Sequence, residues 1–277
     1  MAGGGDVTAA DPPFEPPVAL ASLSGRSDAE WATRAAEYVG AAFLGGISVD
    51  EPTREAARRM VERDREEFLP EDPVAFVDEQ LRALRDVPVR PAFNVRTTRL
   101  APLERGAAVC RERNAILEIN AHCRQEEICA VGGGESLLRD TRRLCEQVRT
   151  ARRQGPPVSV KVRTEVSGVD LPALASRLEA AGATMVHVDA MDSEAVVADV
   201  VEASDLTVIA NNGVRDRETV SEYLEYGADA VSVGRPSDNP AVLSRVRRAT
   251  AEWFRDEGRR NNGPKEEDGG RRKMEGR

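Results

Sequence analysis

The sequence predicts one (β/α)8 barrel in a single domain, and three observations carry that prediction. Eight short apolar runs recur between residues 17 and 260. Helix-like stretches separate them, which implies parallel strands joined by crossovers. The chain, 277 residues at 40% hydrophobic, is long enough to bury one large core. Eight such units in this length fit a closed barrel better than an open doubly wound sheet.

In order, the candidate strands are Val18 to Leu23, Ala42 to Val49, Val87 to Val95, Ile116 to Asn120, Val158 to Val162, Met185 to Val188, Leu206 to Ala210 and Ala230 to Val233. Helices are expected at Ala29 to Val39, Pro73 to Arg85, Leu137 to Ala151, Leu171 to Ala181 and Arg217 to Tyr226, with a last one around Pro240 to Arg259. A longer excursion, Pro52 to Asp86, has room for two helices. Residues 1–16 hold three consecutive glycines and three prolines and read as a flexible N-terminal segment. Residues 261–277 lack aliphatic side chains apart from Met274 and alternate in charge, so they read as a disordered charged tail.

Composition excludes several classes. The longest uncharged stretch, Tyr38 to Val49, is 12 residues, against the roughly 20 apolar residues of a spanning helix. The N-terminus has neither a basic start nor an apolar core, so no export signal is read there and a cytoplasmic location is expected. Cys110, Cys123, Cys129 and Cys145 are then expected as free thiols. A net charge of -9 argues against a broad basic surface for nucleic acid and leaves only local RNA contacts. The basic residues are 36 arginines and 3 lysines. An acidic, lysine-poor surface suits a halophilic, salt-rich cytoplasm, and codon bias in a GC-rich genome gives the same arginine excess.

In a barrel of this kind, polar residues at the C-terminal strand ends carry the chemistry. Lys161 is the only lysine in the folded body and lies amid Val158, Val160 and Val162, where a buried ammonium needs an anionic or polar partner. Charge stabilisation of an electron-rich ligand and a structural ion pair both meet that need. His187 has the same inward placement and is either a hydrogen-bonding group for a ligand carbonyl or a satisfied core residue. Cys123, just past the fourth strand, is a nucleophile, an acid or a small buried hydrophobe; His122 and Arg124 are expected to lower its pKa. Cys123 and Cys129 with two histidines in the whole chain make a poor zinc site, so no metal is expected. Gly132-Gly133-Gly134 offers either backbone donors or a bare turn. Asn211-Asn212-Gly213 and Gly234-Arg235 follow the last two strands, where such barrels often bind phosphate.

The ordered set of motifs resembles the dihydrouridine synthase family of flavin barrels, in particular a shorter archaeal branch related to it. Leu20-Ala21-Ser22-Leu23-Ser24-Gly25-Arg26-Ser27-Asp28 is similar to the family's Leu-Ala-Pro-Met-Ala-Gly-Val-Thr-Asp opening. Glu118-Ile119-Asn120-Ala121-His122-Cys123 and Gly132 to Asp140 resemble its Asp-Ile-Asn-x-Gly-Cys-Pro and Gly-x-Gly-x-x-Leu-Leu-x-Asp stretches. Lys161-Val162-Arg163, Val186-His187, Ile209-Ala210-Asn211, Gly234-Arg235 and Asn239-Pro240 follow in the family's order.

The resemblance implies FMN, reduced by NADPH or NADH, passing hydride to a uracil ring in tRNA or to a smaller pyrimidine. It implies that Lys161, His187 and Asn94 contact the flavin, that Asn211, Asn212, Gly213, Gly234 and Arg235 hold its phosphate, that Asn120 and Arg163 face the substrate, and that Cys123 protonates the ring carbon. Three departures stand out. Gly-Cys-Pro has become His122-Cys123-Arg124, which predicts a different turn at the catalytic loop. Strand six continues Val188-Asp189-Ala190 where the family commonly has Gly-Arg-Thr. The barrel is followed by one helix and a short tail rather than a helical RNA-binding domain. A reductase or dehydrogenase of a free pyrimidine and a non-catalytic phosphate-ligand or flavin-binding barrel are the competing expectations.

Overall fold

A computed structural model describes residues 14–261, with side-chain exposure defined through residue 256. Eight parallel strands close into a barrel in sequence order: β1 (Val18–Leu20), β2 (Ala41–Ser48), β3 (Arg90–Arg96), β4 (Ile116–Asn120), β5 (Val158–Arg163), β6 (Met185–Asp189), β7 (Thr207–Asn211) and β8 (Ala230–Val233). The expected fold class is the observed one. The pairing of β8 with β1 removes both sheet edges, since Val18 lies opposite Val231 and Leu20 opposite Val233.

The helices are α1 (Ala29–Ala35), α2 (Glu51–Val61), α3 (Pro73–Ala83), α4 (Leu100–Glu112), α5 (Glu126–Ala130), α6 (Ser136–Arg139), α7 (Thr141–Arg153), α8 (Leu171–Ala180), α9 (Val196–Ala203), α10 (Arg217–Glu225) and α11 (Pro240–Asn261). Six of them start on an aspartate that accepts a first-turn backbone N–H: Asp28, Asp50, Asp72, Asp140, Asp170 and Asp216. Each such cap stabilises its helix by about 1 kcal/mol, and proline at the first turn of α2, α3 and α8 adds a preset φ. The aspartate at 140 also explains a difference from the expected single helix over Leu137 to Ala151. Its carboxylate takes the Arg143 N–H at 3.1 Å, which ends α6 and begins α7.

The excursion after β2 does hold two helices, α2 and α3. A second difference lies at the N-terminus, where residues 14–16 belong to the barrel rather than to a flexible segment. Phe14 is buried against Ala41, Phe43, Ile116, Met185 and Ile209, closing the N-terminal end of the lumen. The expectations for residues 1–13 and 262–277 lie outside the described residues.

Outward strand residues such as Leu44, Phe93, Leu117 and Val160 pack under the helices in the main core. Inward residues form layers across the lumen because adjacent strands are in register. Asn94 pairs with Glu118, Glu118 with Ser159, Asn120 with Lys161, and Lys161 with His187. The lower layers are apolar and the upper ones polar.

Candidate active site

The C-terminal mouth of the barrel opens into a cavity of about 950 Å³. Its floor is organised by Glu118, which the sequence motifs contain but which received no role. The carboxylate is fully buried and accepts three hydrogen bonds: Asn94 Nδ2 to Oε1 at 2.7 Å, and Ser159 Oγ and His187 Nδ1 to Oε2 at 3.0 and 2.8 Å. Burial alone would raise its pKa, but His187, Lys161 and the Asn94 amide hold it below the ordinary carboxylate value. Burial wins at His187, whose pKa falls despite Glu118. The pair is therefore a carboxylate accepting from a neutral imidazole, whose Nε2 lies 2.7 Å from Ser232 Oγ.

The network fixes side-chain orientation upward toward the cavity. Asn94 donates to Glu118, so its Oδ1 is left to accept Asn120 Nδ2 at 2.8 Å. Asn120 Oδ1 then faces the loop after β4 and accepts Cys123 N at 3.0 Å. That loop is braced from the other side. Glu135 N donates to Cys123 O at 2.9 Å, and Gly134 adopts φ 58° where a Cβ would collide with the same carbonyl. The backbone N–H groups of Gly132 and Gly133 are spent on Cys129 O and Ile128 O. The triple glycine thus buttresses the cysteine loop rather than presenting donors to an anion.

Cys123 is half-buried, lines the cavity and packs beside Ala56, Met60 and Ile128. Burial, followed by the charges of Lys161, Arg96 and Arg163, drives the His122 pKa well below its ordinary value, so the ring beside Cys123 is neutral. Arg124 is exposed. Cys129 Sγ donates to Cys123 O at 3.4 Å, while two thiols are set apart: Cys110 is fully buried with its pKa pushed up to about 12 by burial, and Cys145 is buried with a raised pKa. Among the described residues no cluster of three or more His, Cys, Asp or Glu side chains is placed to hold a metal ion.

Lys161 is 2% exposed, yet its ammonium makes no hydrogen bond among the described residues and borders the cavity. Burial lowers its pKa, and Glu118 and Asp189 partly offset that. Arg163, two residues along β5, pairs with Glu135 at 3.1 Å and leaves its buried Nε without a partner. At the far rim, the N–H groups of Gly213 and Gly234 have no partner among the described residues, and a Cβ on either glycine would meet nothing within 4 Å. Open space in front of unpaired donors, with Arg235 alongside, fits a phosphate group. Asn211 and Asn212 shape this rim through bonds to Ser232 O at 3.1 Å and Asp189 Oδ1 at 3.1 Å.

The structure therefore brings Asn120, Cys123, Lys161, Arg163, Asn211, Asn212, Gly213, Gly234 and Arg235 to one cavity. It places Asn94 and His187, both expected to touch the ligand directly, beneath the floor, each fully buried and bonded to Glu118.

Arg96 was also missed. Its guanidinium, fully buried at the end of β3, binds Glu67 at 2.7 Å, Ser24 Oγ at 2.6 Å and the Gly46 carbonyl. Gly45 and Gly46, at φ 86° and 72°, form the β2 bulge that turns that carbonyl inward. The signal was present in the sequence as a charged residue at a strand end.

Fold and site together define a (β/α)8 barrel with a rim of open backbone donors above a charged, hydrogen-bonded floor. The chain belongs to the dihydrouridine synthase family, whose model matches residues 92–259, and it is thereby a flavin-dependent oxidoreductase in class. It is 26% identical over 257 residues to an uncharacterized protein of Methanocaldococcus jannaschii, covering 88% of this chain and 94% of that protein. Among solved structures it is similar in fold to a FabK variant from Thermotoga maritima, at TM-score 0.54 and 16% identity, over 80% of this chain and 61% of that one. Thiamine phosphate pyrophosphorylase from Pyrococcus furiosus is similar at TM-score 0.51 and 12% identity, over 85% and 95% of the two chains.

Proposed function

We propose that this protein is an FMN-dependent reductase of the uracil 5,6 double bond, acting on uridine in tRNA with NADPH or NADH as the source of electrons. The observation that carries the reading is the 2% exposed Lys161, whose ammonium makes no hydrogen bond among the described residues, lining one cavity with Cys123 and the open glycine rim at Gly213 and Gly234. When bound, FMN supplies hydride to the ring carbon. Gly213, Gly234 and Arg235 hold its phosphate, and Asn211 and Asn212 keep that rim in shape. Lys161 meets the electron-rich part of the flavin ring, where a desolvated ammonium is worth more than in water.

Asn94 and His187 act from below, fixing Glu118 and hence the upper wall. Arg163 and Asn120 orient the uracil. Cys123 Sγ gives its proton to the ring carbon beside the one that takes hydride, a task suited to a thiol whose ordinary pKa lies not far above neutrality. Arginines at the mouth with no ion pair among the described residues, Arg65 and Arg124, offer the local phosphate contacts an acidic protein needs for RNA.

The test is dihydrouridine formation in tRNA lacking it, incubated with the FMN-loaded protein and reduced nicotinamide. Replacing Cys123 with alanine is expected to lower turnover by about 100-fold or more. Turnover of free uracil or uridine with none of tRNA would move the substrate to a small pyrimidine, and no turnover of either would refute the reading.

A further inference from the structure

The position before Cys123 is occupied by an imidazole whose tautomer is set by the whole floor network. Glu118 is an ionised carboxylate and can only accept. Asn94 must therefore turn its Nδ2 toward Glu118 and its Oδ1 toward Asn120, and Asn120 must turn its Oδ1 toward the loop. That oxygen receives Cys123 N at 3.0 Å, His122 N at 3.4 Å and His122 Nδ1 at 3.3 Å. An amide oxygen accepts only, so Nδ1 carries the hydrogen. A neutral imidazole has one N–H, and the lone pair is then on Nε2. Nε2 makes no hydrogen bond among the described residues and is open to the cavity. Around it Lys161 and Arg163 are donors with no acceptor function, and burial together with three cations, Lys161, Arg96 and Arg163, opposes protonation of the ring.

An acceptor among donors is the complement of an imide edge, in which an N–H is flanked by two carbonyls. We propose that His122 Nε2 is a specificity group that accepts the N–H of the reacting ring, with Glu118, Asn94 and Asn120 as the positioning residues that set its tautomer. This rests on the uracil reading above and deepens it, by selecting a ring whose nitrogen between the carbonyls is unsubstituted.

The chain has only two histidines, so nitrogen-15 spectra of the full chain labelled at histidine resolve His122 from His187 by comparison with His122→Ala. The expected His122 ring is neutral at pH 7 and protonated at Nδ1. In Glu118→Gln, whose amide also donates, the orientation of the asparagines is no longer enforced and His122 shifts toward the Nε2–H form. Calorimetric titration with uridine and 3-methyluridine reads the ligand side. The methylated nucleoside, which lacks the N–H, is expected to bind the wild-type protein about tenfold more weakly, the ratio falling to near one in His122→Ala and recovering in part in His122→Gln.

A wild-type His122 that is cationic or carries its proton on Nε2 overturns the proposal, whether or not Glu118→Gln folds. Equal binding of the two nucleosides, or no binding of uridine, overturns it as well. The FMN absorbance of the same samples is read separately, so a protein that takes no flavin counts against the proposed reaction and not against the His122 tautomer.

Discussion

The two halves of the barrel lumen are built from the same eight strands and differ in what the next inward residue is. The lower half is a dry plug, with Phe14, Phe43, Ile116, Met185 and Ile209 packed among alanines. One layer up, at the next inward position of the same strands, Ile116 gives way to Glu118 and Met185 to His187. The lower half follows packing rules, in which any apolar group of the right size serves. The upper half consists of buried polar groups joined mainly by hydrogen bonds through Glu118, Asn94 and Asn120, an arrangement that costs stability if one member is lost and fixes direction if all are present. Stability and function are thus stacked along one axis, one layer of side chains apart.

The sharpest way to break that contrast is Glu118→Leu. It strands the donors of Asn94, Ser159 and His187 and removes the main counter-charge of Lys161, so denaturant unfolding should show a loss of about 3–5 kcal/mol. A loss under about 1 kcal/mol would mean that the network does not hold the upper half together. Next in size, Ile116→Ala in the plug should cost about 2–4 kcal/mol by cavity formation, while FMN affinity of the folded protein stays unchanged. A variant that loses flavin affinity at this position would show that the halves are coupled.

Acidification should separate the halves by sign. Folded His122 and His187 resist protonation more than free imidazoles with their ordinary pKa of 6.5. Below about pH 6.5 the unfolded chain therefore binds more protons than the folded one, and stability falls as pH drops. A further decline follows as pH falls through the depressed Glu118 pKa. His122→Ala should flatten the first part of the profile, and Ile116→Ala should leave its slope alone. Smallest of all in stability is Lys161→Met. Removing a buried ammonium that has no hydrogen bond should change unfolding free energy by no more than about 1 kcal/mol in either direction.

Much of this architecture was legible in the sequence, because strand and helix periods and the aspartate and proline start signals are local. β4 and β8 have the expected bounds, Ile116–Asn120 and Ala230–Val233. The errors have physical causes too. The apolar run at β1 continues to Leu23, but the strand stops at Leu20. Beyond it the chain enters a turn in which Leu23 O accepts Arg26 N and Ser27 N, a closure that the apolar run does not mark. Phe14 was hidden in a segment rich in glycine and proline although it is the one aromatic residue there.

At the site, residue types at strand ends identified the cavity wall, since inward alternation places Lys161 and Arg163 together. What they did not reveal was which polar residue the others depend on. Glu118 and Arg96 are charged residues in apolar strands and could have been found by asking which buried charges lacked a partner nearby in sequence. The neutral state of His122 depends on burial and on three cations from β3 and β5, and only their convergence in space discloses it.

If the upper half of the lumen is a flavin site whose charge is supplied by Lys161, an absorbance titration of FMN tests it most directly. The samples are the wild-type chain and Lys161→Met, with Ile116→Ala as the control from the lower half. Stoichiometric flavin binding is predicted for wild type and control, and binding about tenfold weaker or worse for Lys161→Met. A folded wild-type chain that neither carries nor takes up FMN, or a Lys161→Met variant that binds it as tightly, would contradict that assignment.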